Sequence, residues 1–383
     1  MTDADSQAPK PGSPEPPLHG PATIHDVARR AGVSTSTVSR SLSGEPRVSA
    51  QTRERIRLIA EEIGYRPSRS AQALRLARTG TIGFLAPNLE NPISYDHLRA
   101  TVRAAHEVGY TVLVGDSQDS PEIQDAEIAR MRDYRVDGLI IGRGLVPVTR
   151  SLFQLVDSAI PVEPYFTAGD LKVEPGGRVN VYRHITSDAV GATIAFRRLA
   201  RLGHQRFAIF LFAHAASATG RARHQRLREV LDSEDRRSAS VVEVRVADPD
   251  ECVPELHRLM ASPDSPTAII SANGRLTPYI LEGIHSAGLE MPGDVSFMSF
   301  GDSQWHRAYS PPISVVRQDY AAVAESLVQR LVQRVAGAIP EPGEVRESEF
   351  VMRGSMGQAP RSVLRSVTPE RTRRARRGSS DAG

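Results

Sequence analysis

A glycine corner between two short amphipathic runs constrains this chain more than any other feature. Ile24, Val27, Ala28 and Ala31 recur at helical spacing and predict a short helix with one buried face. Thr23 is suited to cap its start, with Asp26 at the capping-box position three residues on. Gly32 follows, the residue that most readily takes the left-handed conformation a tight corner needs. Ser34 then caps a second helix whose inward residues are Val38 and Leu42. Ser49 caps a third, striped by Ile56, Ile59, Ala60 and Ile63 and stopped by Gly64. A fourth short helix is expected at a hinge, over Pro67 to Leu74.

The stretch from Gly32 to Arg40 is a tight turn followed by a helix with small polar and basic groups outside, which suits the major groove of DNA. Charge supports the same reading. Residues 22–80 hold 11 Arg against 5 Asp and Glu, so 11 − 5 = +6, while the net charge of the whole chain is +3. The remainder is therefore 3 − 6 = −3. A compact basic module on a mildly acidic body is the electrostatic footprint of a nucleic-acid binder.

From Thr81 the pattern changes. Short apolar strands at 82–86, 110–114, 138–141, 207–212, 268–271 and 295–300 alternate with helices near 95–108, 121–133, 190–202, 219–231, 278–287 and 321–336. Such alternation implies an α/β architecture of parallel sheets with helices on both faces. The run is long for one sheet, so two similar subdomains are expected, with a cleft beyond the carboxyl ends of the strands. The chain has a single cysteine, Cys252, in a polar stretch. That excludes an internal disulfide and a cysteine-rich metal site and fits a cytoplasmic location. No segment approaches the roughly 20 apolar residues of a membrane span, and the Pro-rich N-terminus lacks the pattern of a signal peptide. No cofactor is expected: Gly142-Arg143-Gly144 lacks the third glycine of a dinucleotide loop. No nucleophile or metal set is visible, and His204, His214 and His224 fall ten apart, off any common helical face.

At this point a family resemblance enters. TIHDVARRAGVSTSTVSR, VSAQTRERI, GYRP and TIGFLAPNLENP, followed by RVDGLII, LARLGHQRFAIF, GLEMPGDVSFMSF and SPPISVVRQ, resemble the bacterial lac repressor / galactose repressor family of transcription regulators. The resemblance covers residues 22–356. It implies an N-terminal all-α helix-turn-helix headpiece, a hinge helix, and a two-subdomain effector domain like a periplasmic sugar-binding protein. The division it suggests is a disordered extension at 1–21, the DNA-binding headpiece at 22–66, and a hinge helix and linker at 67–80. One subdomain then comprises 81–184 with 319–340 and the other 185–318 with 341–356. A disordered basic tail occupies 357–383; its Arg371 to Arg377 run is a solvated face or an extra nonspecific attraction to DNA.

The expected partners are a double-stranded operator, a small-molecule effector and a second copy of the chain, with no membrane. The family's base-reading positions fall on Thr35, Ser36 and Arg40, and Arg40 is suited to a bidentate pair with guanine. Ser34, Thr37, Ser39, Arg47, Thr52 and Arg53 are expected at phosphates. Leu74, with Arg69 beside it, occupies the place of the leucine that wedges into the minor groove at the operator centre. In the cleft the resemblance points to Asn91, Phe166, Arg221 with Arg223, Asn273, Asp302 and Gln318. Departures stand beside these. Gly301-Asp302 replaces Asp-Asp, Asn273-Gly274 replaces Asn-Asp, and Phe166 stands where sugar-binding members often carry Asp. The ligand is then less polar, or anionic, or the cleft has lost effector binding. Two other classes compete: a transporter's solute-binding protein, opposed by the basic headpiece, and a doubly wound enzyme, for which no catalytic set is visible.

Overall fold

The computed structural model describes residues 22–42, 48–65, 78–142, 160–167, 184–213, 218–341 and 346–360, with positions 151 and 154 besides. The chain divides into two units, residues 1–79 and 80–383.

The first unit contains α1 (Ile24–Ala31), α2 (Thr35–Leu42) and α3 (Ala50–Glu62). Val27, Ala28, Ala31, Val38, Ile56 and Ala60 form its core, with Ile24, Val33, Leu42, Ile59, Ile63 and Tyr65 packed around them. Each start signal does what the sequence predicts. The Asp26 carboxylate accepts from the Thr23 amide (2.9 Å) and hydroxyl (2.6 Å), closing α1 from its own first turn. Gly32 ends α1 at φ +61°, and Val33 N–H returns to Ala28 C=O, so the last carbonyls of the helix are satisfied within the corner. Ser34 Oγ accepts from Thr37 N–H and Ser49 Oγ from Thr52 N–H, one cap for each following helix. Arg55 donates to the carbonyl of Ala31 at 3.0 Å and fastens α3 across the corner.

The second unit holds two six-stranded sheets. β1 (Thr81–Ala86), β2 (Thr111–Asp116), β3 (Gly138–Ile141), β4 (Val162–Thr167), β5 (His184–Ser187) and β11 (Arg346–Glu347) make the first, in the order β11-β5-β4-β3-β1-β2. β6 (Arg206–Phe212), β7 (Ser240–Val246), β8 (Ala268–Ser271), β9 (Ser296–Phe300), β10 (Ser314–Arg317) and β12 (Glu349–Val351) make the second, ordered β12-β10-β9-β8-β6-β7. All pairings are parallel except β10 with β12. β3, β8 and β9 are buried along their whole length, which is why they read as unbroken apolar runs.

Helices cover both faces. In the first subdomain Ile82, Phe84, Ile140 and Tyr165 pack with α4 (Pro92–Glu107) and α11 (Tyr320–Val335), while Leu85, Leu139 and Ile141 pack on α5 (Pro121–Asp133). In the second, Phe207, Ile209 and Leu211 face α6 (Ala189–Arg201) and α7 (Ala218–Ser233). Ala208 and Phe210 turn the other way, to α8 (Cys252–Met260) and α9 (Thr277–Ser286). A short α10 (Gln304–Ala308) follows β9.

Four sequence expectations need correction. β5 pairs in parallel with β4, Tyr165 opposite His184, so the first crossing between subdomains falls after Ser187 and not at 185. Arg346 and Glu347 pair with Thr186 and Ser187, so the returning segment begins in the first sheet before β12 joins the second. Residues 357–360 belong to the body and not to a disordered tail: Gly357 N–H donates to Ser296 and Ala359 N–H to Leu202 C=O. Cys252 is buried against Leu256 and Ile280 at the start of α8, a helix hidden in the sequence by the charges at 248–251. Its thiol is pushed up to about 12 by burial and by the neighbouring Glu251, Asp248 and Asp250. The segments 1–21 and 361–383, most of the hinge, and His214, Arg143 and Gly144 lie outside the described residues.

Candidate nucleic-acid interface and ligand cleft

On α2 the inward positions are Val38 and Ser41, both buried, with Leu42 half-buried. One turn around, Ser36 and Arg40 are exposed, and Thr35 and Ser39 are half-buried beside them. Ser36 and Arg40 are four residues apart, so both stand on the outer face of one helix. Ser34 and Thr37 share a hydroxyl contact of 2.9 Å, and Ser49 and Thr52 share another of the same length. These hydroxyls serve the helix starts and are held in place at them. Arg53 reaches back to the Val48 carbonyl at 3.3 Å. The outer face of the unit carries a helix N-terminus, hydroxyls and guanidinium groups, a donor set matched to phosphates and base edges. Arg47, Arg69 and Leu74 lie outside the described residues.

A cavity of about 80 Å³ lies between the two sheets of the second unit, room for a few waters as it stands. Its walls come from strand ends and helix starts: Phe84 on β1, Asn88 and Asn91 after it, Ser94 and His97 on α4, Asp119 after β2, Gly142 after β3. The opposite wall is Leu211 and Phe212 on β6, Thr219, Gly220 and Arg223 on α7, and Ala272 to Arg275 after β8. The cleft therefore sits where the sequence analysis expects it, beyond the carboxyl ends of the strands.

Arg223 is the best-held side chain in it. Its Nε donates to Asp188 Oδ2 at 2.9 Å, its Nη2 also contacts Asp188, and Nη1 donates to the Ala272 carbonyl at 2.6 Å. The guanidinium lies 3.7 Å over the ring of Phe300. Asp188 also accepts from Gln318 Nε2 at 2.8 Å, and Gln318 Oε1 accepts from the buried Tyr165 hydroxyl at 2.7 Å. Tyr165 in turn lies 3.8 Å, ring to ring, from His97. A continuous polar chain thus runs from one subdomain through the crossing strand to the other.

The cleft residues inferred from the sequence divide into three groups. Asn91 and Asn273 line the cavity and face each other, Asn91 Nδ2 donating to Asn273 Oδ1 at 3.4 Å. Arg221, Asp302 and Gln318 do not line it. Arg221 is exposed because it is two residues, some 200° of helix turn, from Arg223. Asp302 turns away to an ion pair with Arg353 at 2.7 Å and Arg317 at 3.6 Å. Burial works to raise its carboxyl, but the hydrogen bond and charge of Arg353 prevail and hold it below the ordinary range. Gln318 orients Asp188 from behind. Phe166 lies in β4, and its side chain is outside the described residues.

Asp188, His97, Asp119 and Arg275 also belong to the cleft and its wall, beyond the residues inferred from the sequence. Asp188 immediately precedes α6, which is a recognisable helix-start position; the other three come from separate loops and one helix face, so only the tertiary fold brings them together. His204 is structural, as expected from its place before a strand. Its ring is buried between Thr267 (2.9 Å) and Ser296 (3.0 Å), with the Gly357 carbonyl at 3.1 Å, and burial holds its pKa down. Among the described residues no group of three or more His, Cys, Asp or Glu is arranged to hold a metal, and no helix is long and apolar enough to cross a membrane.

Comparison with known proteins adds the following. Residues 23–68 match the family described as bacterial regulatory proteins, lacI family, and residues 196–356 match a periplasmic binding protein-like domain. The transcriptional regulator KdgR of Bacillus subtilis is 27% identical over 352 residues, covering 88% of this chain and 98% of that protein. The transcriptional repressor PurR of Yersinia pestis is 26% identical over 344 residues, covering 88% and 98%. Among solved structures, a lac repressor dimer bound to operator and an anti-inducer superimposes with a TM-score of 0.74, at 23% identity, over 88% of this chain and 100% of that one. At that identity the superposition speaks for the fold.

Proposed function

This chain belongs to the lacI family of bacterial regulatory proteins and is a DNA-binding transcription regulator, and on that premise we propose that it is a cytoplasmic repressor that binds a near-palindromic operator as a dimer. Two copies of one headpiece on a two-fold axis require two half-sites of opposite sense. The observation that carries the reading is the outer face of α2, where Ser36 and Arg40 stand exposed on a helix whose start is capped by Ser34. Arg40 reads a guanine, Thr35 and Ser36 make shorter or water-bridged base contacts, and Ser34, Thr37, Ser39, Arg47, Thr52 and Arg53 contact phosphates. Leu74, with Arg69 beside it, wedges into the minor groove at the operator centre.

The cleft between the sheets is the input. A small molecule that binds one arrangement of the subdomains better than another shifts the population competent for DNA. Arg223 presents a rigid fork, but Asp188 already neutralises it, so an incoming anion meets no uncompensated charge at that point.

The test is a mobility-shift assay on a palindromic site selected from a random pool. Arg40→Ala is expected to lose roughly 1–3 kcal/mol of discrimination at one base pair of each half-site. Specific binding that survives both Arg40→Ala and Leu74→Ala undiminished would overturn the assignment.

A further inference from the structure

The mouth of the cleft is bridged by the protein's own groups. Asn91 accepts from Ile93 N–H at 3.1 Å and so caps α4, which fixes the turn from Glu90 to Ile93 as a firm tip on the first subdomain. That tip meets two glycines of the second. A Cβ built on Gly301 would lie 2.8 Å from Ile93 Cγ1 and 3.0 Å from its Cδ1. A Cβ on Gly274 would lie 3.3 Å from Asn91 Oδ1 and 3.6 Å from Ile93 Cδ1. Gly301 has φ +101°, so its backbone alone favours glycine. Gly274 is not among the glycines with positive φ. Its backbone therefore makes no demand for glycine; a side chain there would press on Asn91 of the tip and, at 3.4 Å, on the Phe300 carbonyl of its own subdomain.

Beside this contact Arg275 reaches back across the cleft. Its guanidinium lies 2.5 Å from Glu90 and 3.7 Å from Asp119, both on the first subdomain, and 5.5 Å over the ring of Phe212 on its own. Asp119 is held for this by Asn88 Nδ2 at 3.0 Å, and the Arg275 amide donates to Asn273, the partner of Asn91. Steric fit, ion pair and amide contact act on the same few residues and all join the same two subdomains.

We propose that the tip of α4 is a built-in plug for the cleft, with Ile93 seated on Gly274 and Gly301 and Arg275 latching the rim through Glu90 and Asp119, so that the unit closes on its own contacts without a small molecule. Gly274 and Gly301 are thus covered from across the cleft. A ligand acts on this protein by displacing the plug, which makes it an opener of the cleft. The proposal rests on the cleft being the input site, but it concerns the ligand-free equilibrium and is tested without DNA.

The test is a distance measurement between spin labels on the full chain. Tyr134 and Arg258 are exposed, one on each subdomain, and Tyr134→Cys with Arg258→Cys supplies two labelling sites while the native Cys252 stays buried. With labelled chains diluted into excess unlabelled chain, so that only the distance within one copy is read, ligand-free protein is expected to give one narrow distance. Arg275→Ala and Ile93→Ala should each move the distribution to longer, broader distances, and Arg275→Lys, which keeps the charge, should retain most of the closed population. Circular dichroism of each variant verifies that it is folded, and the Arg275 pair keeps the test valid if Ile93→Ala fails to fold. A broad distribution in the unaltered cleft, or the same narrow distance in Arg275→Ala and Ile93→Ala, would overturn the proposal. Operator binding is measured separately, so failure of the plug and failure of the regulator reading give different results.

Discussion

Removing the carboxylate of Asp188 isolates the largest polar commitment in the cleft wall. Its partner Arg223 has a side chain only 6% exposed, and Asp188 itself is 13% exposed, so water cannot replace the lost partner. Deleting one member of such a buried pair costs roughly 3–5 kcal/mol, because the other charge is left uncompensated. Part of that cost is softened here. Arg223 keeps the Ala272 carbonyl and the face of Phe300, while Gln318 loses its acceptor at 2.8 Å. The lower half of the range is therefore the expectation for Asp188→Ala. At about 2–4 °C per kcal/mol for domains somewhat smaller than this unit, the transition should fall by on the order of 10 °C. The assay is thermal unfolding followed by circular dichroism, with the headpiece transition resolved separately. Replacing both partners, in Asp188→Ala with Arg223→Met, removes both charges and should recover much of the loss, since the penalty comes from the orphaned charge and not from the missing contact. An unchanged midpoint in the single variant, or a double variant no more stable than the single, would refute the reasoning.

Two further outcomes follow from buried titratable groups. His306 is 1% exposed and stacked on Trp305, and burial pulls its pKa from 6.5 to about 4, against the opposing charge of Asp302. Because its folded value is depressed, its contribution is intact above pH 6.5 and is lost as the pH falls toward 4, a span worth roughly 3 kcal/mol; urea titrations from pH 7 to 4 should show that loss, and His306→Gln should flatten the profile. Cys252, buried with its thiol pushed up to about 12, should resist a soluble disulfide reagent in the native protein and react in full after denaturation; rapid modification under native conditions would contradict its place in the core.

What the sequence determined by itself is local. Gly32, Ser34 and Ser49 announce the corner and caps of the headpiece because each acts on backbone groups within a few residues. Strands such as Gly138–Ile141 and Ala268–Ser271 are legible because burial on both faces leaves a continuous apolar run. β7 escaped notice: it is an edge strand whose exposed and buried residues alternate, which gives a weaker signal than a fully buried run. The cleft was decided by the tertiary structure. Arg221 and Arg223 are indistinguishable by composition, and only the rotation of α7 against β6 turns Arg223 inward. Asp302 and Gln318 stand at strand ends that suit a ligand site, yet Arg353, arriving from 51 residues away, takes the first, and Asp188, 130 residues away, takes the second. The plug has the same origin: Gly274 and Gly301 register in the sequence as missing acids, and it takes the folded chain to bring Ile93 against them.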